Sequence, residues 1–267
     1  MQKIMLVVLV LGTLPLLGQQ NQNRDTLPNV GVMTYDEVEA LMPWVEGVGK
    51  TSREMLEGQS VKSYLMPVRR TTNPGEEWAY ILTACLEYYV NLDNNYKVNL
   101  SPDYLMLNLM NGGYDTRLQT AFSYLAGDGT VSAAILPYGA TALTSAVYAT
   151  YKYRISNYLH LFREITRPSQ RSYETRKALM RGNPVVVELK TDPSVKNQEG
   201  RRLLEVPEGN VLLPFLVVGY NDVDKTFELL ASWGRSWGDG GYMKISFDDF
   251  ENYVENGFVL VPVSQSN

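Results

Sequence analysis

The sequence predicts an α+β fold, with helices in its first half and short strands in its second. Three observations carry that reading. Trp78, Ile81, Leu82, Cys85, Leu86 and Tyr89 recur at three- and four-residue steps, which makes residues 75–92 a helix with one buried stripe. From Pro184 onward, short β-branched runs alternate with turn residues. A chain of 267 residues, 45% hydrophobic, can fill one large core or two smaller lobes.

The elements follow in order. Lys3 and the apolar run from Ile4 to Leu17 read as a secretory signal peptide over 1–18, too short at about 14 residues to span a bilayer. Residues 19–59 read as a lead-in. Within it, Thr34 and Glu37 have capping-box spacing, and Val38, Leu41, Met42 and Val45 predict a short helix over 35–46. Ser101-Pro102-Asp103 opens a helix with a cap, a proline at the first position and an acid in the first turn. A further helix is predicted over 114–126, stopped by Gly127-Asp128-Gly129, and another from Ser172 to Gly182. Strands are predicted over 184–189, 211–220, 227–233, 242–247 and 258–263, with a short helix over 246–256.

Composition narrows the function. The net charge of −5 offers no basic patch for nucleic acid and no polybasic arm for a membrane. Cys85 is the only cysteine, so no internal disulfide forms. His160 is the only histidine, and no Asp/Glu cluster reads as a metal site. No cofactor is implied, and no membrane anchor remains once a signal is removed.

One segment is far more specific. Ala231-Ser232-Trp233-Gly234-Arg235-Ser236-Trp237-Gly238 precedes Gly240-Gly241-Tyr242. Upstream stand Pro67-Val68-Arg69-Arg70, Pro74-Gly75-Glu76-Glu77-Trp78-Ala79, Leu100-Ser101-Pro102, Asn111-Gly112-Gly113-Tyr114, Leu136-Pro137-Tyr138 and Val218-Gly219-Tyr220, in that order. Together they resemble the papain-like cysteine peptidases over roughly residues 60–263. The resemblance implies a two-lobe fold, a helical lobe over about 60–145 and a β-barrel-like lobe over about 146–263, within a domain at 60–267.

The same resemblance implies chemistry that these residues do not supply. Papain-type cleavage needs a thiolate at a helix start, an imidazole to exchange its proton, and an amide that orients the imidazole. Carried over from Trp78, the nucleophile position holds Glu77, and the oxyanion glutamine is Thr71. Carried over from Val218-Gly219-Tyr220, the histidine position holds Leu213, or Pro214 if the register slips by one. The asparagine position holds Ala231. The interval from residue 77 to 213 still falls within the about 130–150 residues this family places between nucleophile and partner. Cys85 lies roughly 12 Å further along the same helix and reads as core. His160 reads as a structural or surface residue in the connection between lobes.

Glu77 admits three readings. It is a favourable helix-start anion, a recognition group for a cation or hydrogen-bond donor, or a general acid or base. Adjacent Glu76 faces elsewhere on the helix and cannot flank one bond with it. The chain is therefore expected to be a secreted or periplasmic non-enzyme. Its groove of Glu77, Trp78, Gly112, Gly113, Leu213, Trp233 and Trp237 would hold a peptide or protein segment. A hydrolase with a rearranged site and a structural part of an extracellular assembly are the competing classes. The lead-in is shorter than the family's inhibitory prodomain, as expected of a protein with no activity to restrain.

Overall fold

A computed structural model describes residues 27–48, 57–71, 73–111 and 118–263. The signal reading at 1–18 and the glycine pair at 112 and 113 fall outside the described residues. The lead-in contributes α1 (Tyr35–Leu41) and β1 (Gly58–Ser60). The helical half contains α2 (Glu77–Asp93), α3 (Pro102–Asn111) and α4 (Leu118–Gly127). The second half contains β2 (Ile155–Phe162), α5 (Pro168–Met180), β3 (Val185–Thr191), β4 (Val211–Asn221), β5 (Thr226–Leu230), β6 (Tyr242–Ser246), α6 (Phe247–Tyr253) and β7 (Val254–Pro262).

The strands form one antiparallel sheet in the order β2-β7-β3-β4-β5-β6, with β1 added to β4. Two cores lie on its two faces, because successive residues of a strand point to opposite sides. Val186, Leu216, Val218, Leu230 and Phe258 pack with α2, α3 and α4. Val185, Val187, Phe215, Val217 and Val259 pack with α5, α6 and the residues around Trp237. The sheet is thus a wall shared by both lobes.

Helix α2 is the centre of the first lobe. The sequence predicts one buried stripe, but the helix is buried on nearly every side from Glu77 to Asn91. It packs on β3, β4 and β7 as well as α3, which leaves little of it for water. Gly219 is required where β1 joins β4: a Cβ there would meet the Gln59 carbonyl oxygen at 2.8 Å.

Several boundaries differ from the sequence expectation. Helix α1 ends at Leu41 because Pro43 holds Met42 extended, at ψ 117°. Thr34 bonds the Glu37 side chain instead of capping the backbone. Helix α5 begins at Pro168, four residues before Ser172, with the proline in its first turn. Strand β5 stops at Leu230, and β7 starts at Val254. Strand β2 was not expected at all. Register shifts between Ile155 and Asn157 and between His160 and Phe162 interrupt its alternation, so its sequence shows no clean period of two.

The lead-in is docked. Val32 forms a parallel bridge with Leu159 on the outer edge of β2, donating to Tyr158 O at 3.0 Å. That covers an edge strand that would otherwise present open backbone groups. Val38 and Met42 enter the second core. Glu39 pairs with Lys177 and Arg181, and Asn183 donates to Pro43 O at 2.7 Å.

One buried ion pair joins the pieces around α2. Arg69 bonds both carboxylate oxygens of Glu87, which is 1% exposed, and reaches Asn99 Oδ1 at 3.1 Å. Glu87 also accepts from Leu100 N at 2.7 Å, and Arg69 lies over the Tyr138 ring at 4.8 Å. Burial pushes the Glu87 carboxyl up, while Arg69 and the Leu100 N–H hold it back. Removing one partner leaves a buried charge without compensation. Arg69→Ala is expected to lower unfolding free energy by about 3–5 kcal/mol in urea titration. Lys225→Ala, at an exposed pair with Asp222, is expected to change it by less than about 1 kcal/mol.

Candidate functional site

The cleft is built where the loop before α2 meets the turn after β5. Thr71 N donates to Ser232 O at 2.8 Å, and Gly234 N donates to Arg69 O at 3.1 Å. Arg70 and Trp233 form an isolated antiparallel bridge between these strokes of chain. Gly234 takes φ +84°, and a Cβ there would crowd Arg70 at 3.1 Å. This short pairing fixes the start of α2 against the tryptophan pair.

Glu77 is the first residue of α2, with Glu76 at the cap. Its Oε2 accepts from Gly75 N at 2.7 Å, and its Oε1 receives the Trp233 indole N–H at 3.4 Å. Glu76 turns the other way, accepting from the Asn73 amide at 2.8 Å. Thr71 donates its hydroxyl to Asn73 O at 3.0 Å.

The tryptophans are held by each other and by Phe215. Trp233 and Trp237 meet edge-on at 5.1 Å, and Phe215 meets Trp233 edge-on at 5.4 Å. Trp237 is 4% exposed and donates to Val195 O at 3.1 Å, in the 3₁₀ turn Pro193–Asn197. Between that turn and the start of α2 lies a cleft of about 510 Å³. Glu77, Thr71, Trp233 and Trp237 line it, as do Arg70 and Lys196. Its size is that of an ordinary ligand site.

The sequence-based groove set divides in three. Glu77, Trp233 and Trp237 line this cleft. Trp78 lies in the first core, and Leu213 packs at the edge of the second, beside Leu189 across the ladder. Gly112 and Gly113 are outside the described residues. Ala231 is 2% exposed, its methyl in the second core. Residues 196–199 also line the cleft, a contribution absent from the sequence-based groove set. Their available signal was Asp192-Pro193-Ser194, where Asp192 accepts from Ser194 N at 2.8 Å and starts the 3₁₀ turn.

Cys85 is fully buried in the middle of α2, and burial drives its thiol pKa far above the usual range. His160 is not in a connection, as the sequence reading had it, but on β2. Its ring stacks on Phe258 at 4.4 Å and its Nε2 meets Asn256 Oδ1 at 3.2 Å. Asn256 in turn donates to Glu188 at 2.8 Å. Neither Cys85 nor His160 lines the cleft. No group of three or more His, Cys, Asp or Glu among the described residues could hold a metal ion. No helix among them is long and apolar enough to cross a membrane.

A family profile described as papain family cysteine protease matches residues 54–259. The chain belongs to the papain family. A cysteine proteinase of Theileria parva is 26% identical over 189 residues, which cover 68% of this chain and 41% of that protein. The chain thus spans about two fifths of the length of the curated relative it matches. Among solved structures, procathepsin L 3 of the Tenebrio molitor larval midgut superposes with a TM-score of 0.64 at 17% identity, covering 84% of this chain and 77% of that one. Procathepsin L2 from the same source gives 0.62 at 22% identity, covering 87% and 83%. At such identities the likeness establishes the papain-like α+β fold.

His160 yields a clean pH test. Burial lowers its pKa from 6.5 to about 4, so the folded chain resists a proton that the unfolded chain accepts. The contribution of His160 to stability is complete above pH 6.5 and is lost as pH falls toward 4. His160→Gln is expected to flatten the decline of the urea midpoint across that window. An unchanged slope would mean that the imidazole titrates normally.

Proposed function

We propose that this papain-family chain is an exported pseudopeptidase that holds a peptide or protein segment in its cleft without cutting it. The observation that carries the reading is Glu77. At the first turn of α2, beside Trp233, stands a carboxylate held by Gly75 N and the indole N–H. Amide cleavage by the family's route needs a thiolate and an imidazole that protonates the leaving amine. The described lining of the cleft has neither. Leu213 and Ala231 stand in apolar packing where the resemblance carries over the base and its orienting amide.

The frame that would hold a ligand supports the same reading. The tryptophan walls, the Arg70–Trp233 bridge and the open volume of about 510 Å³ leave room beside Glu77 for a short stretch of chain. That open volume favours binding over a filled, purely architectural groove. Export rests on the apolar run at residues 4–17, which points to a secreted or periplasmic protein.

Incubation of the purified chain with fluorogenic peptides and a thiol-directed alkylating probe tests the reading. The expected result is no turnover above buffer, with Cys85 labelled only after unfolding, as its complete burial requires. Turnover that travels with the pure chain would overturn it, and its loss in Cys85→Ser would assign it to that thiol.

A further inference from the structure

Glu77 is 8% exposed, yet its carboxylate opens on the cleft. Two other glutamates are buried as deeply, and each has a cation. Glu87 is paired with Arg69, and Glu174 lies 3.4 Å from Lys177. Among the described residues, Glu77 has only two N–H donors, one of them at 3.4 Å. A carboxylate offers about four lone-pair sites, so half of its capacity is unused. The α2 N-terminus supplies roughly half an elementary charge, which leaves about half of the carboxylate charge unbalanced.

The surroundings choose the kind of cation. No second or third carboxylate joins Glu77 in a cluster suited to a metal ion among the described residues. The rest of the lining is mostly polar, with Asn73, Asn197, Gln198, Ser236 and the exposed Glu199, and of its two indoles Trp233 is held in place by Phe215 and Trp237 before any ligand arrives. An organic cation gains from a carboxylate through a charge-assisted hydrogen bond, while its apolar stem packs along the indoles. Arg70 and Lys196 also border the cleft, but both are exposed and screened by salt. Buried Glu77 is screened far less.

We propose that Glu77 anchors a cation subsite, and that the cleft takes peptides presenting a lysine or arginine side chain to it. This rests on the reading of the cleft as a peptide site. The test uses the full chain and an immobilised library of acetylated, amidated hexapeptides, each lysine or arginine member matched by its norleucine counterpart. Wild type is expected to retain the cationic members at least about tenfold more tightly. Glu77→Gln keeps the shape and is expected to erase that preference while the weaker norleucine binding persists. Glu77→Asp, which draws the charge back by one methylene, is expected to fall between and guards against a misfolded glutamine variant.

Equal retention of lysine and norleucine members by wild type would overturn the anchor and leave peptide binding standing. A lysine preference that survives in folded Glu77→Gln would also overturn it. Retention of no peptide at all would remove both the anchor and the peptide-binding reading.

Discussion

The structure depends on one residue, through its side chain and its carbonyl together, more than on any other. Arg69 bridges to Glu87 on α2, touches Asn99 ahead of α3, lies over Tyr138, and lends its carbonyl to Gly234 beyond β5. It therefore ties the loop before α2 to the helix, to the rest of the helical lobe and to the second lobe at once. A charged group so placed is costly to desolvate, and its value comes from leaving no alternative arrangement for the segments it joins. The position of Glu77 against Trp233 follows from this anchoring. The two residues are 156 positions apart in sequence, and only the pairing of residues 69–71 with 232–234 brings them together.

The two cores make the cleft a boundary and not an accident of packing. Alternate residues of β3 and β4 commit their side chains to opposite lobes, so neither lobe can shift without disturbing the shared sheet. The docked lead-in adds to this. It spans from the end of α4, where Pro28 lies against Gly127, to the β2 edge and on to Arg181 and Asn183. Its apolar side chains are divided between the cores: Leu27, Val30 and Val45 pack on the first, Val38 and Met42 into the second.

Much of this was legible from the chain. The period of Trp78 to Tyr89 marks α2, Ser101-Pro102-Asp103 marks α3, and the β-branched runs mark all five late strands, β3 to β7, because each signal is local. What was illegible is equally physical. Strand β2 hides behind two register shifts. The burial of α2 on all sides comes from the sheet that packs against it, which no window of its own sequence contains. The end of α1 and the start of α5 are encoded in Pro43 and Pro168. At the site, three residues that the ordered motifs single out, Glu77, Trp233 and Trp237, line one cleft. The same motifs placed Leu213 and Trp78 in the groove, whereas packing draws both into the cores. The 196–199 segment carries no family pattern and enters the cleft only through the Asp192 turn and the Trp237–Val195 hydrogen bond.

The papain-like fold here carries a cleft lined by Trp233 and Trp237, with the Glu77 carboxylate at the start of α2. A papain-type nucleophile needs exposure and an imidazole, and the chain's one thiol has neither. The most direct measurement is a crystal structure of the wild-type chain grown with a lysine-containing hexapeptide. The account predicts an unbroken peptide backbone between the lobes, its ammonium beside Glu77 and Trp233. A severed peptide, an acyl group on the protein, or a peptide seated away from this cleft would contradict it.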